Sequence, residues 1–293
     1  MEKQVLHRTE EIKEIIPLCG SRELPLSRPL VMGILNVTPD SFSDGGEFID
    51  LEKAVERAIE MERQGADVID IGGESSRPGA EPVPEDIELD RVIPVIDALR
   101  SESQIPISID TYKATVAQVA IETGADIVND ISALRFDERM VEVVAANKVP
   151  AVLMHMKGTP RDMQQNPTYS NLLRELQQFF IERIEFCHDN GIDKTKLILD
   201  PGIGFGKRLS DNLEILTNLE LFKNFSLPLM VGLSRKSFIN ALYRRDASAE
   251  SRIGGSIAGA LLAIQQGANI VRVHDVAETV EAIKVLEALK VGS

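Results

Sequence analysis

The sequence predicts an α/β chain of the (β/α)8, or TIM, barrel class with a short N-terminal extension, and three observations predict it. Eight short runs rich in β-formers recur along the chain. They are apolar nearly throughout, as strands of a parallel sheet covered on its faces must be. Stretches with helical periodicity lie between them. A Gly-Ala-Asp/Asn step closes three of the helices, at Gly65-Ala66-Asp67, Gly124-Ala125-Asp126 and Gly267-Ala268-Asn269, which marks one βα unit repeated along the chain. Eight such units favour closure into a barrel over an open sheet. The 293 residues suffice for it, since barrels of this kind need about 250.

Residues 1–28 hold the mixed segment Thr9–Leu18 and then Pro25. No chemistry is visible there, and they are expected to form an extension covering the bottom of the domain. The barrel domain is expected over residues 29–293. Leu30–Val37 opens it as a buried strand too short for an ordinary helix; Asn36 ends it, Pro39 stops it, and a polar loop with Gly45-Gly46 follows. Seven further strands are expected at Val68–Gly72, Ile105–Asp110, Ile127–Ile131, Ala151–Met156, Leu197–Asp200, Leu229–Leu233 and Ile270–His274. Helices are expected at Leu51–Gln64, Tyr112–Thr123, Glu138–Ala146, Leu172–Asn190, Asp211–Leu219, Ser251–Gln266 and Ala277–Lys290, with none assigned between the second and third strands. No linker rich in Pro, Gly or Ser breaks the alternation.

Composition narrows the class of function. Hydrophobic residues make up 43% of the chain, enough for a sizeable core, and no run is long enough to span a membrane. The charged start MEKQVLHRTEEIKEIIPL does not resemble a signal peptide, so a cytoplasmic protein is expected. Cys19 and Cys187 have no metal-ligand spacing, and no disulfide is expected between them. A net charge of −14 suits nucleic acid poorly but leaves room for local anion sites.

In a barrel of this class chemistry sits at the carboxyl ends of the strands. Those ends carry Asn36, the Gly72–Gly79 loop, Asp110, Asn129 with Asp130, His155, Asp200, Ser234-Arg235-Lys236, and Arg272 with His274 and Asp275. One chemical set is Asp110, Asn129, Asp200 and Lys236. Two carboxylates, an amide and an ammonium match a flat heterocycle with an alternating donor–acceptor edge, and Met154 and Phe205 offer apolar faces for its ring. The competing expectation is a set of rim salt bridges, Lys236 with Asp200 for example. A second set, Asn36, Arg77, Arg272 and His274, suits phosphate oxygens, with Asn36 as a neutral ligand for Mg²⁺. The run Gly202-x-Gly204-x-Gly206-Lys207 fits neither common nucleotide fingerprint, and its glycines are expected to let backbone approach a ligand closely.

The segments NVTPDSFSDGG at 36–46, ESSRPGAEPV at 74–83, SIDTYK at 108–113, NDI at 129–131, LDPGIGFGK at 199–207, SRKSF at 234–238 and RVHDV at 272–276 together resemble the dihydropteroate synthase family. The resemblance is collinear from about Leu30 to the C-terminus. It implies a barrel enzyme, usually a homodimer. The family joins 6-hydroxymethyl-7,8-dihydropterin diphosphate to 4-aminobenzoate with Mg²⁺, releasing pyrophosphate, and sulfonamides compete at the aminobenzoate site. By position it implies that Asp110, Asn129, Asp200 and Lys236 hold the pterin, with Ile131, Met154, Phe205 and Gly232 nearby. Asn36, Arg272 and His274 would take the diphosphate, Asn36 through Mg²⁺. Loops carrying Phe42 and Asp44, and Ser76 and Arg77, would close over the site, and Ser234 and Lys236 would border the aminobenzoate. The family commonly has threonine where this chain has Ser76, so a modest change in aminobenzoate or sulfonamide contact is implied. The alternatives are a pterin-binding methyltransferase barrel and a non-catalytic pterin-binding protein.

Overall fold

The structure is a computed structural model and describes residues 14–18, 22–38, 47–243 and 248–291. Phe42 and Asp44 lie outside the described residues, as does Cys19. The elements run β1 (Ile15–Pro17), β2 (Glu23–Pro25), β3 (Leu30–Asn36), α1 (Glu47–Arg63), β4 (Val68–Gly72), α2 (Glu85–Glu102), β5 (Ile107–Asp110), α3 (Ala114–Thr123), β6 (Ile127–Asp130), α4 (Met140–Asn147), β7 (Ala151–Met154), α5 (Leu172–Asp189), β8 (Leu197–Asp200), α6 (Leu209–Thr217), β9 (Met230–Gly232), α7 (Ser237–Tyr243), α8 (Ile253–Gln265), β10 (Ile270–Val273) and α9 (Val276–Val291).

Strands β3 to β10 pair in parallel in the order β8-β7-β6-β5-β4-β3-β10-β9. A parallel bridge from Leu199 to Leu229 joins the two ends, so the eight strands close into the expected barrel. All eight sequence-expected strands are present: Val68–Gly72 and Leu197–Asp200 have the expected bounds, and the other six are trimmed by one or two residues. The main core lies between the outer barrel face and the helices: Val31, Ile69, Ile71, Ile107, Ile109, Leu153 and Leu199 pack against Met61, Ile96, Leu99, Phe180 and Phe222.

Two helices were not expected. In α2 the buried Val92, Val95, Ile96 and Leu99 keep the helical spacing, but Pro94 sits among them. An interior proline removes one backbone hydrogen bond and argues against a helix; burial of that apolar stripe outweighs the loss. The short α7 is only two turns long and leaves little periodicity to read.

The extension forms an antiparallel hairpin, β1 with β2, that sets Ile16 opposite Leu24. Both are buried, with Leu18, against Leu30, Met32, Val68, Ile127, Val152, Ile198, Met230 and Ile270. These last eight belong to seven different barrel strands, so the hairpin plugs the amino end of the barrel. Full burial of each of its large aliphatic side chains contributes about 1.5–3 kcal/mol. Arg28 donates to both Asp67 carboxylate oxygens at 2.5 and 3.0 Å, Lys196 donates to the Pro17 carbonyl at 2.6 Å, and Arg22 pairs with Asp126.

Candidate active site

Side chains two residues apart on a strand share a face, and that parity builds the site. The apolar plug fixes which residues point inward at the bottom. Two residues further along the same strands stand Asp70 above Val68, Asn129 above Ile127, Met154 above Val152, Asp200 above Ile198, Gly232 above Met230 and Arg272 above Ile270. Four residues above Met32 is Asn36. Register places Asn36, Gly72, Asp110 and Asn129 in one row across β3, β4, β5 and β6. Ser234 and His274 sit one step above Gly232 and Arg272.

At the centre lies a connected charge network. Arg272 donates from Nε to Asp70 Oδ2 at 2.6 Å and from Nη2 to Asp110 Oδ2 at 2.6 Å. Asn129 donates from Nδ2 to the same Asp70 oxygen at 3.1 Å. The two chemical sets expected from sequence are therefore joined: Arg272, assigned with the anion set, holds Asp110, assigned with the heterocycle set. Burial raises the Asp110 carboxyl, and the guanidinium of Arg272 pulls against that shift.

On the opposite side, Lys236 Nζ donates to the Ile203 carbonyl at 2.5 Å and stands 4.5 Å over the centre of the Phe205 ring. Burial lowers it to about 8, opposed by Asp200. Asp200 is raised by burial, opposed first by Lys236. Its Oδ1 accepts from the Gly202 N–H at 2.7 Å. A Cβ on Gly232 would lie 3.6 Å from Arg272 Cβ and 4.0 Å from Lys236 Nζ, so the glycine keeps the space between the two cations open. Ile131, Met154 and Phe205 form an apolar cluster of their own with Met156, Met163 and Tyr112, apart from the main core. A heterocycle entering the mouth thus meets an apolar wall beside buried carboxylates and an ammonium.

His274 does not bring a charge. Burial, then Arg272 and Arg235, depress it to about 3, so near neutrality the imidazole is neutral and serves as a single N–H donor. Its backbone N–H donates to Ser234 Oγ at 3.2 Å, and its Nδ1 lies 3.1 Å from that oxygen. Arg77 is exposed on the loop after β4, and its charge acts on His274. Ser76, half-buried on the same loop, lines a small cleft beside Asp110 with Tyr112, Thr111 and Ile131. Asn36 is half-buried at the end of β3.

The glycine run differs from expectation. A Cβ on Gly202 would stand 2.0 Å from the His155 carbonyl oxygen, and one on Gly206 2.3 Å from the Lys157 oxygen. Their φ angles are +68° and +63°. These glycines bring backbone against the backbone after β7 rather than against a ligand; Gly204 meets the Lys236 side chain.

Three contributors were missed from sequence. Asp70 sits mid-strand, where only strand ends were read. Lys207 is buried with its ammonium against His155 Nδ1, the His155 carbonyl and the Phe205 carbonyl, at 2.9, 3.1 and 3.0 Å; burial lowers it to about 7. Glu74 accepts from the Tyr112 hydroxyl at 2.7 Å, Lys113 Nζ at 2.5 Å and the Val83 N–H at 3.1 Å, which pins the loop carrying Ser76 and Arg77. The signal for Asp70 was available: one carboxylate inside the otherwise apolar Val-Ile-Asp-Ile-Gly strand.

A closed parallel barrel whose mouth holds such a pocket belongs to a known class. The sequence pattern of the family described as pterin binding enzyme matches residues 32–274. Dihydropteroate synthase of Escherichia coli strain K12 is 50% identical over 265 residues, covering 90% of this chain and 93% of that one. The Xanthomonas albilineans dihydropteroate synthase solved with 4-aminobenzoic acid superposes with a TM-score of 0.88 at 46% identity, covering 94% and 98% of the two chains. The Yersinia pestis enzyme in a sulfonamide drug complex gives 0.87 at 47%, with the same coverage. This chain belongs to the dihydropteroate synthase family of pterin-binding enzymes.

Proposed function

We propose that this chain condenses 6-hydroxymethyl-7,8-dihydropterin diphosphate with 4-aminobenzoate to give 7,8-dihydropteroate and pyrophosphate. The observation that carries the residue assignment is the pair of facing groups at the mouth. Asp110 and Asn129 are tied to Arg272 on one side, and Asp200 lies beside Lys236 and Phe205 on the other. Asp110, Asn129, Asp200 and Lys236 would bind the pterin edge, with Ile131, Met154, Phe205 and the space over Gly232 receiving its faces. A carboxylate takes two parallel N–H bonds from an amino-pyrimidinone edge, and the ammonium donates to its carbonyl or ring nitrogen. Arg272, Arg77 and neutral His274 would hold the diphosphate. Ser234, Lys236, Ser76 and Arg77 would border the aminobenzoate and the sulfonamides that compete with it, with Phe42 and Asp44 contributing from the loop after β3.

Chemically, the methylene C–O bond breaks as the diphosphate departs, the arylamine nitrogen bonds to the methylene carbon, and the nitrogen then sheds a proton. Arg272 and Arg77 neutralise charge on the leaving group. The carboxylates of Asp110 and Asp200 against the ring stabilise the cationic methylene. An arylamine is a weak base already neutral at pH 7, so no protein base must activate it. The residues fit Mg²⁺, which needs only one or two protein oxygens beside water and substrate: Asn36, half-buried at the rim, would offer it a neutral one. When bound, it supplies further neutralisation of the leaving diphosphate. No helix among the described residues is long and apolar enough to cross a membrane; a cytoplasmic homodimer is the setting we infer.

The test is pyrophosphate release from the dihydropterin diphosphate with Mg²⁺, with and without 4-aminobenzoate, the product being identified by mass. Release that depends on aminobenzoate, with dihydropteroate formed, is expected. Pterin binding with neither product would replace this function with methyl transfer or a silent pterin-binding barrel.

A further inference from the structure

We infer that Asp70 is a positioning residue for the reaction: from below the pocket it fixes the orientation of the Asn129 amide and the placement of the Arg272 guanidinium. The inference rests on the assignment of Asn129 to the pterin and Arg272 to the diphosphate, and extends it to a residue that contacts neither substrate.

Asp70 is fully buried. Both of its hydrogen bonds among the described residues arrive on Oδ2, from Asn129 Nδ2 at 3.1 Å and Arg272 Nε at 2.6 Å. Asp110 is likewise bonded to Arg272 alone among the described residues, but four other strand-associated aspartates of this barrel are held differently. Asp126 accepts from the Ile107 N–H, Asp130 from the Ser132 and Leu134 N–H groups, Asp67 from the Val31 N–H and Asp200 from the Gly202 N–H. Those carboxylates stitch the backbone. Asp70 takes no backbone donor among the described residues. Its second oxygen and the Ser108 hydroxyl in register beside it have no protein partner among the described residues. All the hydrogen bonds that Asp70 makes among the described residues thus go to two side chains of the site.

The chemistry of each partner gives the consequence. A carboxylate accepts from an amide NH₂ and repels an amide oxygen, so Asp70 selects one of the two amide rotamers of Asn129. That leaves Asn129 Oδ1 and its second N–H for a ligand, an acceptor and a donor side by side. Arg272 is held at Nε by Asp70 and at Nη2 by Asp110, which leaves Nη1 and the second Nη2 proton for an anion. One buried charge therefore indexes both halves of the pterin substrate. A charge in so apolar a layer is costly to keep, and an apolar side chain would fill the strand at lower cost.

The test uses Asp70→Asn and Asp70→Glu in the full chain. It reads calorimetric affinity for 6-hydroxymethyl-7,8-dihydropterin and for pyrophosphate with Mg²⁺, and KM for each substrate. Asp70→Asn is expected to weaken both ligands by about tenfold, the order of one charge-assisted hydrogen bond, and to leave KM for 4-aminobenzoate within twofold. Asp70→Glu keeps the charge, so it guards against a folding failure. It is expected to weaken pterin binding as well, because the carboxylate is displaced by one methylene. In an Asn129→Ala background the Asp70→Asn penalty on pterin affinity should shrink below about threefold, since the partner it acts through is gone. Folded Asp70→Glu or Asp70→Asn protein that binds both ligands like the wild type would overturn the inference, as would a full penalty persisting without Asn129. If Asn129→Ala alone leaves pterin affinity intact, the assignment of the pocket fails instead.

Discussion

The floor and the mouth of this barrel are made from the same inward-pointing positions of the same strands, yet they solve opposite problems. At the floor the inward residues of seven strands are apolar, and a hairpin from the extension completes the packing with Ile16, Leu18 and Leu24. Around the floor the Asp126 carboxylate is used up by protein: it meets Arg22, Arg100 and a backbone N–H. At the mouth, two residues further along, the inward groups are Asp70, Asn129, Asp200 and Arg272. Their bonds run mainly from side chain to side chain and leave donors and acceptors unused. Strand parity sets which residues face in; whether the protein itself uses up their polar capacity separates a floor from a site.

Substitutions at the two ends should therefore separate stability from activity. The largest effect is expected at the mouth. Asp200→Asn keeps the shape and removes the charge opposing Lys236, and kcat/KM for the pterin substrate should fall about a hundredfold or more, the scale of a lost charge-assisted contact in a dry site. Circular dichroism should show the fold retained; normal pterin affinity in a slow variant would break the edge-binding assignment. At the floor the pattern should invert. Ile16→Ala, at a fully buried position, should cost about 2–5 kcal/mol in urea unfolding while kcat of the folded fraction stays unchanged. A kcat loss there would mean that the plug and the mouth are coupled.

A smaller effect is expected from pH. Lys236 is lowered to about 8 from an ordinary 10.5. Below pH 8 the lysine is charged whether folded or unfolded, and the folded state bears the full burial penalty. Between about 8 and 10.5 only the unfolded chain holds the proton, so the free protein gains stability as pH rises. Pterin affinity should move the other way, falling about tenfold per pH unit above 8 as the ammonium is lost, until ligand contacts with the neutral amine dominate. Calorimetry between pH 7 and 10 checks this, and Lys236→Met should flatten the profile. The smallest effect concerns His274: because it sits at about 3, pyrophosphate affinity should show no histidine titration between pH 5.5 and 7.5. Pyrophosphate ionises in the same range, so His274→Gln is the control: a break near 6.5 that the variant lacks would restore His274 as a cationic ligand.

The fold was legible because each barrel strand announces itself as a short apolar run followed by a polar residue, and parallel strands cannot hide that pattern. The helix α2 was not, since Pro94 interrupts an otherwise regular stripe and only the finished packing shows the stripe prevailing. Most of the mouth was legible for the same reason as the strands: Asp110, Asn129, Asp200 and Arg272 stand at or near strand ends. What no linear reading supplies is the register across the barrel. Asp70 and Arg272 lie 202 positions apart, and only the pairing of β10, the last strand, with β3, the first strand of the barrel, brings them into one network. The roles of Gly202 and Gly206 were misread for a related reason, because their neighbour is the chain after β7, far away in sequence.

That neighbour relation has a dynamic consequence. The loop after β8 touches the chain after β7 through two glycine contacts, through the buried ammonium of Lys207 on the ring and the carbonyl of His155, through Tyr169 on the Gly206 carbonyl and through Gln164 on the Gly204 carbonyl. Neither segment can open without breaking the other's bonds, so the two form one cooperative unit. Their amides should exchange with solvent deuterium together, at a rate set by joint opening, while the loop after β4 exchanges on a clock of its own. The wall behind the pocket thus behaves as part of the barrel frame.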